Sequence, residues 1–354
     1  MAATDTDQDR GRSGALDTAT RVAKLLVSVA VTFLGLLLVT FLISHVISTD
    51  PVLAVVGDRA SKSTYDKMYI EMGLDKPLWQ QFWIYLEKVL TGDFGKSFLT
   101  KKLIVDDLAR AFPATVELAT LAILIGTLFG IPLGILSAVK SGKLIDQVVR
   151  IFGLIGYSAP IFWLGLLGLL VFYAKLSWIS GPGRIDIAYE YDFTPRTGLL
   201  LIDTATQGAW RAFGNVFSHI ILPAALLGFN SMAYISRMTR SFMLTELAQE
   251  YVTTARVKGV SEARIIWVHA LRNAAVPLVT VVTLSYAGLL EGSVLTETVF
   301  AWPGLGMYLT NSLQVADMNA VLGGTLVVGT VFIGLNLLSD LLYTLVDPRV
   351  RRRA

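Results

Sequence analysis

No cysteine occurs anywhere in the 354 residues. That excludes disulfide staples, thiolate-ligated zinc, iron–sulfur clusters and thiol nucleophiles, but it does not identify a compartment, because a cysteine-free chain tolerates either redox environment. Charge is also scarce. Only 16% of residues are Asp, Glu, Lys or Arg, against 54% apolar, and mean hydropathy is +0.60. A soluble chain of this length needs more charge to cover its surface, so the composition points to a bilayer. Histidine is limited to His45, His219 and His269, on separate segments with no metal-ligand spacing. HExxH, GxSxG and paired intramembrane aspartates are missing, which leaves a protease or lipase without its residues. The GKS at 95–97 imitates the end of a P-loop, but that motif needs glycine where Leu90 stands.

What is present is a set of long runs free of full charge, at 25–49, 118–139, 151–174, 212–236, 273–290 and 318–339. Each approaches the ~20 helical residues that cross a ~30 Å hydrocarbon core. The expected fold class is an all-α membrane protein with six transmembrane helices. Polar residues fill Met1 to Thr20, and the run after them exceeds a signal peptide's short apolar stretch, so a retained anchor helix is expected.

Basic residues give the orientation. They lie at Arg10, Arg12, Arg21 and Lys24, then at Lys140, Lys143 and Arg150. They recur at Arg237, Arg240, Arg256, Lys258, Arg264 and Arg272, and finally at Arg349 and Arg351 to Arg353. Alternating helices put all four groups on one side, and the connection from Phe300 to Asp317 has no Lys or Arg. By the positive-inside rule, both termini are expected in the cytoplasm.

Between the first two runs, two short helices are expected. Pro77 opens the second, which is amphipathic, and Gly92 closes it. The amphipathic 103–110 segment is expected to lie along the membrane interface. Trp178, Tyr189, Tyr191 and Trp210 read as interface anchors. Gly126, Gly130 and Gly134 form a close-packing stripe, with Pro132 expected to kink that helix; Gly323, Gly324, Gly329 and Gly334 repeat the theme in the last run. Polar side chains inside the runs, with Glu291 where it interrupts the fifth, are candidates for lining a passage: Tyr157, Asn230, Ser285, Tyr286 and Glu291. Glu291 has two open readings, a pathway group or a structural bond between helices. Asp340 reads as an interface ion pair with Arg349.

The segment 250–277, EYVTTARVKGVSEARIIWVHALRNAAVP, reads helix, break, helix. Gly259 suits the left-handed position after a helix, and Ser261 can cap the next one with Glu262 complementing its dipole. Val252, Ala255 and Val260 alternate with basic residues, which suits an exposed knob. Through Glu250, Tyr251, Thr254, Ala255, Arg256, Lys258 and Gly259, then His269 to Ala274 and Pro277, this segment resembles the EAA loop of bacterial ABC importer permeases, in the form used by the dipeptide/oligopeptide (peptide/nickel/opine) family. It departs from the generic pattern at Thr253, where Glu is usual, and at HALR, as the peptide subfamily does. GLDKPLWQQFWIYL, TGDFGKSF, FPATVELA, ETVFAWPGLG and DLLYTLVDPRVR also agree, so the resemblance covers nearly all of the chain beyond residue 20.

The resemblance implies a type I importer permease in the bacterial inner membrane, with no cofactor of its own. ATP would be bound by two cytoplasmic ATPase subunits; a second permease and an extracytoplasmic substrate-binding protein would complete the assembly, with no role for nucleic acid. It implies a polar tail over 1–20, a first transmembrane helix within 21–49 and a periplasmic loop over 50–115. A five-helix core over 116–346 would contain the cytoplasmic loop 237–277, and a basic tail would occupy 347–354. Glu250, Thr254, Ala255, Arg256, Lys258, Gly259 and Val260 would form the coupling helix. The implied cargo is a di- or oligopeptide, with nickel chelates, opines or glutathione as alternatives. An ion-coupled secondary transporter is the rival class, expected to show repeats, broken helices and buried carboxylates; no internal repeat is visible.

Overall fold

The computed structural model describes residues 27–42, 51–57, 60–315 and 317–346. The polar tail with Arg10, Arg12, Arg21 and Lys24, the two ends of the first apolar run with His45, and the basic tail with Arg349 to Arg353 lie outside the described residues.

Helix α1 (Val27–Leu42) is the described part of the first run. Then α2 (Pro51–Val56), α3 (Lys62–Glu71) and α4 (Leu78–Leu90) fill the following loop, one helix more than expected. Pro77 precedes α4 and Gly92 follows it with φ +74°, the punctuation the sequence signals. The long apolar helix α5 (Ile104–Val139) comes next, followed by the bent pair α6 (Leu144–Ser158) and α7 (Ile161–Lys175). The short α8 (Leu200–Thr206) leads to α9 (Trp210–Leu247). Beyond it are α10 (Glu250–Val257), α11 (Glu262–Gly292), α12 (Val294–Val299), α13 (Leu305–Gln314) and α14 (Met318–Val346).

Two expectations need correction. The segment 103–110 is not a separate interfacial helix but the first turns of α5, whose 36 residues span about 54 Å at 1.5 Å per residue. Asp106 and Asp107 suit that first turn because they complement the helix dipole. The run 151–174 is not one straight helix: α6 and α7 meet at 96°. Proline disfavours helical backbone in the residue before it, and Ala159 accordingly sits extended (φ −76°, ψ 130°) ahead of Pro160. The carbonyl of Gly156, near this break, accepts a 3.2 Å hydrogen bond from the Asn230 amide. By contrast, α5 stays helical through Pro132.

The α5–α9 pair is the spine. A Cβ added to Gly126 would lie 2.8 Å from Ser231 Cβ; at Gly130 it would lie 3.1 Å from Ile235 Cβ, and at Gly134 2.5 Å from Thr239 Cβ. Gly228 reciprocates, facing Ile125 at 2.9 Å. Glycines every four residues therefore let two backbones approach where lipid supplies no hydrophobic driving force. In α14, Gly323 faces Ile104, Gly324 faces Leu309 and Gly329 faces Leu36, while Gly334 opens on empty space. Ala114, Leu118, Ala122, Ile220, Ala224, Leu227 and Trp302 form the main core. A second core, of Ile135, Ala138, Met243, Ala270, Ala274 and Leu278, closes the opposite end. That end carries the α5–α6 turn and the α9–α11 connection, so the internal basic clusters share one end of the bundle as their spacing predicts.

Candidate functional site: the α9–α11 loop and the groove beside it

The loop at the basic end is built to be stiff. Helix α10 ends in paired hydrogen bonds: Val260 N–H donates to the Ala255 carbonyl at 3.1 Å and Gly259 N–H to that of Arg256 at 2.9 Å. This is the Schellman closure, which needs left-handed backbone at its hinge, and Gly259 supplies φ +78° with open space around it. Ala255 and Val260, both half-buried, occupy the positions that this motif brings together. Arg256 bridges the turn, its Nε 2.7 Å and Nη2 3.3 Å from the two oxygens of Glu262. Ser261 takes the cap position, but its hydroxyl makes no capping bond; the backbone closure holds the turn, and the solvent-exposed Arg256–Glu262 pair adds little to it.

Glu246, near the end of α9, anchors the base of the loop. It accepts from the Tyr251 hydroxyl at 2.8 Å and from the Asn273 amide at 3.3 Å, joining α9, α10 and α11. Burial, with the Glu246 carboxylate beside it, holds the Tyr251 phenol above its ordinary pKa. Sequence reasoning quoted Tyr251 and Asn273 but missed their shared acceptor. Val252, expected on the outer face, is fully buried under the loop. The apolar group at the tip is instead Val257, 84% exposed, with Glu250, Thr254, Arg256, Lys258 and Gly259 exposed around it. The helix after the turn widens to π geometry over Ile265–Ala270, a feature common where helices carry function.

The five polar candidates divide. Tyr157, Asn230 and Ser285 line one groove of about 350 Å³ between α6, α9 and α11, with Ser231, Tyr234 and Gly288. Tyr286 turns away: its hydroxyl lies 2.9 Å from that of Thr120 on α5. Glu291 is exposed and borders a separate small crevice with Leu290 and Phe332. Among the described residues it has neither ionic nor hydrogen-bond partner, so no helix-to-helix bond is seen there. From the groove, Tyr157 and Tyr234 also form part of a larger cavity of about 890 Å³ that reaches Arg150, Arg237 and Arg240 at the basic end. Arg240 is engaged there, its Nε 2.7 Å and Nη2 2.8 Å from the Asp146 carboxylate, which also accepts from Ser137 and from Gly142 N–H.

The other end is a network of buried polar groups. Glu297, with no accessible surface, accepts from Thr115 at 2.7 Å, Ser293 at 2.9 Å and Met307 N–H at 3.0 Å, capping α13. Trp302 donates to the Ala114 carbonyl at 2.9 Å and lies under the Arg184 guanidinium, which pairs with Glu117. FPATVELA and ETVFAWPGLG, 178 positions apart at Glu297 and Ala119, thus interlock as one unit. At 95–99, Ser97 and the N–H groups of Phe98 and Leu99 hold the Asp317 carboxylate. The P-loop imitation is occupied by the chain's own anion. Trp178, Tyr191 and Trp210 stand exposed at this end, and His219 holds the Gly181 carbonyl at 2.8 Å.

Known proteins match this chain over most of its length. The family described as "Binding-protein-dependent transport system inner membrane component" matches residues 130–352, and its N-terminal counterpart matches residues 21–119. The Dipeptide transport system permease protein DppB of Escherichia coli K12 is 44% identical over 326 residues, 91% of this chain and 96% of that protein. The Di/tripeptide transport system permease protein DppB of Pseudomonas aeruginosa UCBPP-PA14 is 42% identical, covering 91% of this chain and 96% of its own. Among solved structures, an inward-facing MetNI methionine ABC transporter aligns with TM-score 0.49 and 18% identity, over 68% of this chain and 96% of that one.

Proposed function

The chain belongs to the inner-membrane components of binding-protein-dependent transport systems, a permease of an ABC importer, and from that premise we propose that it forms half of a pathway for di- or oligopeptides. In this reading a second homologous permease supplies the other half, two cytoplasmic ATPase subunits supply the energy, and an extracytoplasmic binding protein delivers the substrate. Both termini and the α9–α11 loop face the cytoplasm, as the placement of basic residues favours. The names of the relatives favour peptides over nickel chelates, opines or glutathione.

One observation carries the mechanical part. The loop is a short exposed helix closed by a Schellman turn, with its base tied through Glu246 to two long helices. A lever must resist bending where it is pushed, and this one is cross-braced at both ends. Glu250, Thr254, Ala255, Arg256, Lys258, Gly259 and Val260 form the coupling helix, with Val257 as the apolar contact that the sequence reading passed over. ATP-driven closure of the ATPases moves it, and α9 and α11 carry the motion to the groove lined by Tyr157, Asn230 and Ser285.

Uptake by reconstituted vesicles tests this reading. Labelled dipeptide should accumulate only with both permeases, the ATPases, loaded binding protein and ATP present. Uptake on a proton or sodium gradient without the ATPases would instead assign the chain to ion-coupled carriers.

A further inference from the structure

Arg237 lies on α9 where the groove meets the larger cavity, and its surroundings are unusual for a cation. Its guanidinium sits over the rings of both Tyr157 and Tyr234, 5.4 Å and 5.6 Å from their centroids. Those two tyrosines belong to the walls of both spaces, so the arginine stands at their junction. Asn230 is seven residues away on the same helix, about 10 Å toward the opposite end. None of the residues lining the larger cavity is Asp or Glu, while Arg150, Arg237 and Arg240 all line it. Arg240 is committed to Asp146. Among the described residues, Arg237 has no carboxylate partner and no hydrogen-bond acceptor.

Stacking on aromatic faces holds a guanidinium in place without neutralising it. The five N–H donors lie in the guanidinium plane and remain available at its edge, matched to a planar carboxylate that accepts two of them in parallel. An exposed arginine that two rings hold beside the meeting of two cavities, with no acid partner among the described residues, is suited to receive an anion. We propose that Arg237 receives the C-terminal carboxylate of the peptide as it passes from the Asn230–Ser285 groove toward the basic end, making this residue a specificity determinant within the permease. The proposal rests on the peptide-import reading above.

The test uses the complete transporter in vesicles, with excess binding protein whose loading is measured for a labelled dipeptide and for its C-terminal amide. Arg237→Gln should cut uptake of the free acid about tenfold, as expected for losing a charge-assisted contact, and leave the amide unchanged. The acid-to-amide ratio then falls about tenfold, and Arg237→Lys restores part of it. Equal losses for acid and amide would overturn the proposal. So would a loss that appears only in vesicles containing anionic lipid, which identifies a headgroup anchor, or loss of the second permease from the purified complex, which identifies an ion pair between subunits. If the unmodified transporter takes up neither form, the peptide reading itself fails and this proposal with it; normal acid uptake with an unshifted ratio removes this proposal alone.

Discussion

A carboxylate without accessible surface, as Glu297 is, remains in place only if donors replace the water it has lost. Thr115, Ser293 and Met307 N–H do so, and a Cβ on Gly304 would lie 2.5 Å from its carboxyl carbon. Glu297→Ala should therefore cost roughly 3 kcal/mol, because buried donors are left unpaired, and Glu297→Gln, which keeps an acceptor oxygen, should cost less. Thermal unfolding of the purified complex checks the order; equal midpoints for both variants would contradict it. The sequence showed ETVFAWPGLG only as a shared string, since its partners Thr115 and Ala114 are more than 180 residues away. Tyr251 and Asn273 were legible as motif residues, whereas Glu246 was not, because nothing in its spacing shows a hub. Arg237 was read only for the sign of its charge, and its place at the junction of two cavities depends on the packing of α6 against α9.

Elements were more legible than partners. The four-residue glycine spacing in α5 announces a close-packed face, and the structure supplies its opposite number in Gly228, Ser231, Ile235 and Thr239 of α9. Gly134→Ala would push a methyl group to 2.5 Å from Thr239 Cβ and 2.6 Å from the Ser236 carbonyl oxygen. Overpacking of this kind costs about 1–3 kcal/mol. Gly153→Ala in α6 meets nothing closer than 3.9 Å and should be neutral or slightly stabilising, by up to ~1 kcal/mol from helix propensity. Unfolding midpoints of the two variants should move in opposite directions or differ clearly; a Gly134→Ala variant as stable as Gly153→Ala would remove the stripe from the packing. The bend between α6 and α7 was also written in the chain, at Pro160, but hydrophobic length outweighed it and suggested a single straight run. The loop at 250–277 was legible almost to the residue, because helix, glycine and helix are local preferences. Which of its valines faces outward was not: Val252 and Val257 are both apolar, and only tertiary packing buries the first and exposes the second.

On the scale of the whole molecule, the chain displays much apolar surface, including Leu128 at 67%, Leu154 at 65% and Val31 at 64% exposed. Such surface requires lipid or a partner subunit, which supports the proposal that the permease is half of a pathway. One end is pinned by buried polar contacts around Glu297, Glu117 and Asp317, and the other carries the arginine-lined cavity and the stiff loop. In the proposed coupling, α9 and α11 are the route from that loop to the groove, since both contribute residues to each. The most direct measurement is the ratio of peptide transported to ATP hydrolysed in the Gly259→Arg transporter. Space is open around Gly259, but its φ of +78° costs a side-chain-bearing residue roughly 1–2 kcal/mol and distorts the turn. The loop as a coupling lever predicts assembled complexes that hydrolyse ATP with little or no uptake; a variant that transports with the unmodified ratio would contradict it.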